Sequence, residues 1–439
     1  MASHLETNPF DVRRTAADGV VLGFPLLLVD AVRRTHPVGM NQVLILPEDC
    51  SVIAPGLADD DELIVRASAW VDLSGGPVLL SLPNLDGRYW AISLFDAWGD
   101  RIGRVDPRTH KGGVQLMLAG PAWRGEAPKG AVARRAHTEL IWAVIRIAAR
   151  SPQDLEATRG LLANIAIGPA DGDGPKLRKL HGRVDPPLQP ALDALTSLSP
   201  HRLFHHLARL LARYPAEDGR EIAALAGIGM TPGKAFHLPE EAALRDALTL
   251  GIADGFARVI HAQALPEATV WRRLPAGPGP PDAPAATILA ALGAAAAEDI
   301  QHWICDCDSD GRPLIGSEPY ILRFPPGEAP PVDGFWTLSL ASRAPSGALR
   351  AARHVLDSRN DLIVDADGSL TLHIEHQPQP AETQANWLPA PPGRLRLRLK
   401  LYWPRASALE GSWRPPAPER IGGVRRTSSP QRENRESPS

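Results

Sequence analysis

Cysteine is scarce in this chain, with Cys50, Cys305 and Cys307 the 3 among 439 residues. Three cysteines cannot all pair within one chain, which fits a reducing, cytoplasmic setting. Tyrosine and methionine are few, at 4 each, and aromatics make up 5% of the chain. Neither sign of charge dominates: the formal net charge is −3, which leaves no basic excess for nucleic acid. Long hydrophobic runs are missing as well. The longest near the N-terminus, Gly19 to Val29, is too short to span a bilayer and contains Pro25. The opening residues have neither the basic nor the apolar region of a signal peptide, so no membrane span and no standard secretion are expected.

What is present points to a soluble globular protein, 44% hydrophobic and 22% charged, long enough for two or three domains. Proline (44) and glycine (38) are frequent, which implies many turns and a β-rich portion. Tryptophan (11) outnumbers phenylalanine (8) and tyrosine (4), and tryptophan in excess anchors cores, interfaces or pockets.

Residues 11–35 have helical spacing in two pieces. Val12, Ala16 and Val20 follow an Asp11 N-cap; Leu26, Val29, Ala31 and Val32 follow the Gly23-Phe24-Pro25 interruption. Arg33 and Arg34 fall in the last turn, where cations suit the helix dipole. Over roughly 42–123 come β-like runs at Val43, Ala67, Val78, Tyr89 and Val114, with Leu85-Asp86-Gly87-Arg88 as a hairpin signal. Helical spacing returns over 134–167 through Leu140, Trp142, Val144 and Ile147, and Ser151-Pro152 opens a further helix. More helices are expected at Pro200–Arg213, Asp218–Ala226, Pro239–Ile260 and Ala285–Ile304, the last holding the alanine run Ala294–Ala297.

Beyond residue 311 strands dominate: Pro319–Phe324, Gly334–Leu340, Leu362–Val364, Ser369–Glu375 and Leu395–Leu401. The last alternates strictly, with Leu395, Leu397, Leu399 and Leu401 on one face and Arg394, Arg396, Arg398 and Lys400 on the other. The expected architecture is α+β. An N-terminal antiparallel sheet with flanking helices (10–170) leads through a helical connecting region (171–305) to a jelly-roll-like antiparallel β-sandwich (306–418) and a disordered tail (419–439).

Two sets of motifs carry a resemblance. One is Gly23-Phe24-Pro25, Ala69-Trp70-Val71-Asp72-Leu73-Ser74, Gly87-Arg88-Tyr89-Trp90 and Phe95-Asp96-Ala97-Trp98. The other is Asp308-Ser309-Asp310-Gly311, Phe335-Trp336, Asn386-Trp387-Leu388-Pro389-Ala390-Pro391 and Leu401-Tyr402-Trp403-Pro404. On these the chain resembles a protein pairing the domains of unknown function 1254 (N-terminal) and 1214 (C-terminal), over roughly residues 10–418. The resemblance implies an α+β domain joined through helices to a β-sandwich, and no settled reaction. It also marks a departure: the family's Asn-x-Asp-Thr-x-Tyr-like segment is here Asp60-Asp61-Glu62-Leu63-Ile64-Val65-Arg66-Ala67-Ser68, without the Thr and Tyr, so a pocket lined by it is altered.

Several stretches invite chemistry. Asp306-Cys307-Asp308-Ser309-Asp310-Gly311 opens like a calcium loop, but Ser317 stands where the bidentate acid belongs, so an acidic turn is expected. His302, Cys305 and Cys307 lack a second ligand pair, and His201, His205 and His206 lack the zincin glutamate. Gly227–Gly233 follows a helix and contains proline, which fits a helix–helix turn rather than a phosphate cradle. No metal or cofactor is expected. The site candidate is composite: Arg88, Tyr89, Asp96, Trp98 and Arg108 from the first domain, with Asp357, Arg359, Asn386 and Trp387 from the second, around an interdomain small-molecule cleft. The basic face of 394–400 is expected to be solvated or paired with Glu375 or Asp365. Two classes of function stay open, a small-molecule binder or enzyme and a homo-oligomeric assembly protein.

Overall fold

The computed structural model describes residues 8–46, 63–85, 87–170, 188–216, 222–261, 270–274, 292–343 and 349–421, apart from the side chains of 188–190 and 342–354. Helix α1 (Pro9–Thr35) is one continuous helix rather than two, and its N-cap is Asn8, not Asp11: the Asn8 Oδ1 accepts from the Phe10 N–H at 2.9 Å. Pro25 lies inside it, buried, beside Phe24, whose ring stands edge-on to Phe256 at 6.3 Å. Burial of this stretch outweighs the one backbone bond a proline forfeits.

The following segment contains β1 (Gln42–Ile45), β2 (Ile64–Asp72), β3 (Val78–Leu82), β4 (Trp90–Phe95), β5 (Arg101–Val105), β6 (Val114–Ala119), β7 (Val132–Arg135) and β8 (Leu140–Ala148), then α2 (Leu155–Leu162) and β9 (Ala166–Pro169). Two sheets form, in orders β1-β2-β8-β4-β5 and β7-β6-β3-β9, antiparallel except for the β6–β7 pair. Their facing sides, Ala67, Ile92 and Ile145 against Leu80, Leu116 and Ile167, share one core. The expected helix through Leu140–Ile147 is therefore strand β8, the middle of the first sheet. Every residue of β8 is buried, because one face meets the second sheet and the other meets helices. A strand covered on both faces loses the alternation that would identify it. The half-buried strand β5, with a glycine at its centre, had no readable pattern.

Helices α3 (Leu188–Thr196), α4 (Pro200–Arg213) and α5 (Ala242–His261) pack on α1 and on Trp70, Phe95 and Trp142 of the first sheet. The Trp70 and Trp142 rings, directly opposed across β2–β8, stack at 5.0 Å. Among the described residues α1 is the one helix long and apolar enough to cross a membrane, and most of its apolar window is buried in this layer. Ile222–Ile228, overlapping the expected helix 218–226, is a 3-10 helix; residues 218–221 lie outside the described residues.

The remainder comprises β10 (Arg272–Arg273), β11 (Ile300–Cys305), β12 (Tyr320–Phe324), β13 (Trp336–Arg343), β14 (Leu349–Asp357), β15 (Leu370–Glu375), β16 (Trp387–Pro389), β17 (Leu395–Tyr402) and β18 (Glu419–Arg420). Sheets β10-β11-β17-β13-β14 and β16-β15-β12-β18 pack as a sandwich around Trp336, Leu338, Leu372, Leu397 and Leu399. Four expectations change here. Ile300–Ile304 is strand, paired with β17, and Ala294–Ala297 is non-helical; residues 285–291 lie outside the described residues. Alanine's helix propensity, at most about 1 kcal/mol per residue over glycine, is a local preference that tertiary packing overrides, and Ala295 and Ala296 are buried here. Leu362–Val364 joins no ladder, whereas β14 does. Glu419 and Arg420, expected in the tail, pair with β12; residues 422–439 lie outside the described residues.

Candidate functional site

The two sandwiches meet around an aromatic nest. Tyr89 lies 4.9 Å from the Trp403 ring, 5.1 Å from Tyr402 and 5.8 Å from Phe335, and Phe335 stacks on Tyr402 at 4.1 Å. Strand β4 begins just after Tyr89, and β17 delivers Tyr402 and Trp403 from the opposite side. Two arginines close the nest. Arg359 lies 3.7 Å over the Phe335 ring, pairs with the buried Asp357 and donates to the Ala149 carbonyl at 2.9 Å. Arg108 lies 5.3 Å over Trp403 and bridges Asp106 (2.8 Å) and Asp299 (2.6 Å). Burial pushes the fully buried Asp299 carboxyl up, and Arg104 and Arg108 pull it back only in part.

Tyr89, Arg108, Asp357 and Arg359 are thus brought together, and the other expected residues lie elsewhere. Arg88 forms a two-pronged pair with Asp154 and holds that carboxyl well below the usual range. Asp96 caps its own turn, accepting from the Trp98 and Asp100 N–H groups at 2.9 and 3.0 Å; burial, with Asp100 adding, pushes it up to about 6. The Trp98 indole donates to the Tyr214 carbonyl at 3.2 Å, under the helices. Asn386, buried, accepts from the Ile363 N–H and donates to the Ile363 and Thr371 carbonyls, and the Trp387 indole donates to the Glu375 carbonyl.

Other motifs are absorbed into the fold. Asp308 accepts from its own loop's Asp310 and Arg312 N–H groups, and Asp306 pairs with Arg396 at 2.6 Å. The basic face of 394–400 is solvated only at its start: Arg394 is exposed, Arg396 takes Asp306 rather than Glu375 or Asp365, and Arg398 and Lys400 are buried. Cys305 is fully buried, its thiol donating to the Cys307 carbonyl, and burial pushes it far above the ordinary thiol range. Among the described residues no group of three or more His, Cys, Asp or Glu side chains is arranged to hold a metal.

A cleft of about 330 Å³ opens between α1, α3 and α4. Each helix contributes one face, at the i, i+3, i+4 spacing that keeps side chains on one side. From α1 come Leu27, Asp30, Ala31, Arg34 and Thr35. Ala191, Ala194 and Leu195 come from α3, with Leu198 just beyond it, and Arg202 and His206 come from α4. Leu27, Ala191 and Leu195 are buried and make the floor. Asp30, 4% exposed, stands in the wall and accepts from Arg33 (2.7 Å), Arg34 (2.7 Å) and the His206 Nε2 (2.9 Å). Burial alone would raise the Asp30 carboxyl, but His206 and Arg33 outweigh it and hold the group well below the usual range.

None of this cleft was legible as a site in the chain. His206 looked like the flank of a leucine-faced helix, and its partner is 176 positions away. The available signal was Asp30 itself, a lone acid ending the apolar run Gly19–Val29 and followed by two arginines.

Fold and site together define a two-sandwich α+β protein with a helical layer that carries a cleft. Residues 59–169 match the family described as Protein of unknown function (DUF1254), and residues 301–406 match Protein of unknown function (DUF1214). The two matched segments stand in that order, DUF1254 before DUF1214, along the chain. A crystal structure of a Vibrio parahaemolyticus protein is similar over 94% of this chain and 100% of its own, with 19% identity and a TM-score of 0.68, which supports the fold. An uncharacterised Burkholderia cenocepacia protein covers 93% of this chain and 94% of its own at 11% identity, with a TM-score of 0.45. No curated protein gives a significant match.

Proposed function

We propose that this protein binds a small, compact, mainly apolar molecule in the cleft between α1, α3 and α4. The observation that carries the reading is an apolar floor set beside a carboxylate whose acceptor positions are already occupied by Arg33, Arg34 and His206. A carboxylate offers about four acceptor sites, and here four donor contacts fill them. The wall is therefore satisfied before any ligand arrives, and the cleft is preformed. A volume near 330 Å³ lies at the lower end of the roughly 300–1,000 Å³ of ligand pockets, which favours a ligand of one ring or a short branched chain.

In this reading Tyr89, Arg108, Asp357 and Arg359, the members of the expected composite set that come together, fasten the two halves. The donors of Arg108 and Arg359 are directed to acceptors of the chain, and Tyr89 is packed among three rings. The experiment is ligand-observed NMR with benzyl alcohol and benzoate, on the full chain and on Ala194→Trp. Ala194 lines the mouth and is exposed, so the larger side chain fills the cleft without entering the core. Saturation transfer to a probe in the wild type, and its loss in the variant, is the expected result. Equal signals from the two proteins would place binding elsewhere and end the reading.

A further inference from the structure

The cleft's ligand class follows from charges that the Asp30 network leaves over. Arg33 and Arg34 already exceed the single negative charge of Asp30, and both bond to it. Arg202 adds a further, exposed cation to the lining, and among the described residues no ion pair is formed by its side chain. The acid of α3, Asp193, is absent from the lining, which takes the Ala191, Ala194, Leu195 face. Arg202 also stands in the first turn of α4, which has no acidic residue, where the helix dipole disfavours a positive charge. Its backbone N–H is capped by the Ser199 hydroxyl at 3.4 Å, so the helix start does not depend on the guanidinium. His206 uses Nε2 on Asp30, which in the neutral ring leaves Nδ1 as an acceptor and in the charged ring adds one more donor.

We infer that the ligand is a small monocarboxylate with a compact apolar body, its body on Leu27, Ala191 and Leu195 and its carboxylate at the mouth on Arg202 and Arg34. A planar carboxylate matches the guanidinium fork with two parallel donors. A cation would meet surplus positive charge and a carboxylate with no acceptor to spare. This rests on the cleft reading above and adds the chemistry of the head group.

The test compares benzoate with benzyl alcohol by titration at low salt, in the full chain and in Arg202→Ala and Arg202→Lys. The two probes share a ring and differ in charge. The expected result is benzoate bound at least about tenfold more tightly than the alcohol, a preference that collapses in Arg202→Ala and returns in part in Arg202→Lys. Arg202 is exposed and the start of α4 is capped by Ser199, so both variants should fold with unchanged circular dichroism. Equal affinities for acid and alcohol, both lost in Ala194→Trp, would overturn the carboxylate assignment and leave the cleft reading standing. Binding of neither probe would overturn both.

Discussion

Asp30 is a carboxylate at the end of an apolar helical stretch, and it persists there because two arginines and a histidine converge on it. Its depressed pKa gives the sign of the pH effect. Stability from this group is present above the unfolded carboxyl value of about 4 and drains away as pH falls below it toward the folded value. Asp30→Asn keeps the shape and removes the charge. We expect the variant to be about 2 kcal/mol less stable at pH 7, below the roughly 3–5 kcal/mol of a fully buried pair, because the Arg34 side chain is 60% exposed. Between pH 5 and pH 3 the urea midpoint should fall more steeply in the wild type than in the variant. Parallel curves would show that Asp30 is not the titrating group.

At the scale of elements, the contact between α1 and α5 depends on two glycines one turn apart. A Cβ on Gly251 would lie 2.3 Å from the Arg13 carbonyl oxygen and 2.7 Å from the Ala16 Cβ; one on Gly255 would lie 2.6 Å from the Val20 Cβ. The helices touch backbone to backbone, and a carbonyl has nowhere to move. Gly251→Ala gains about 1 kcal/mol of helix propensity, yet overpacking of a rigid contact costs about 1–3 kcal/mol. The prediction is a net loss in chemical denaturation, and a stabilised variant would refute the close-contact account. The same scale explains uneven legibility. Strand β17 declared itself by alternating leucine and arginine because the two faces meet different surroundings, whereas β8 is buried on both faces and its apolar run suits helix or strand equally.

At the scale of the molecule, the aromatic nest and the Asp299 bridge join the two sandwiches. Tyr89→Ala removes a ring from contact with Phe335, Tyr402 and Trp403, at a cost of about 3–5 kcal/mol typical of a buried aromatic. Because the nest spans the contact between halves, calorimetry of the variant should resolve two transitions where the wild type has one. A single transition at the wild-type temperature would remove the nest from that role.

The amino-acid sequence by itself determined the order of the two families, the α+β class, strands β1 to β4, β6, β12, β13, β15 and β17, and the helical stretch carrying Asp30. These depend on local period, turn residues and motif spacing, which neighbours along the chain encode. Only the tertiary structure decided that β8 is a strand, that Pro25 lies inside one unbroken helix, that Arg398 and Lys400 are buried, and that Asp30, Arg202 and His206 line one cleft. Each of these is settled by what packs on a residue from far along the chain. Apolar burial on both faces, as in β8, erases periodicity, and pairing between residues 176 positions apart leaves no trace in local composition.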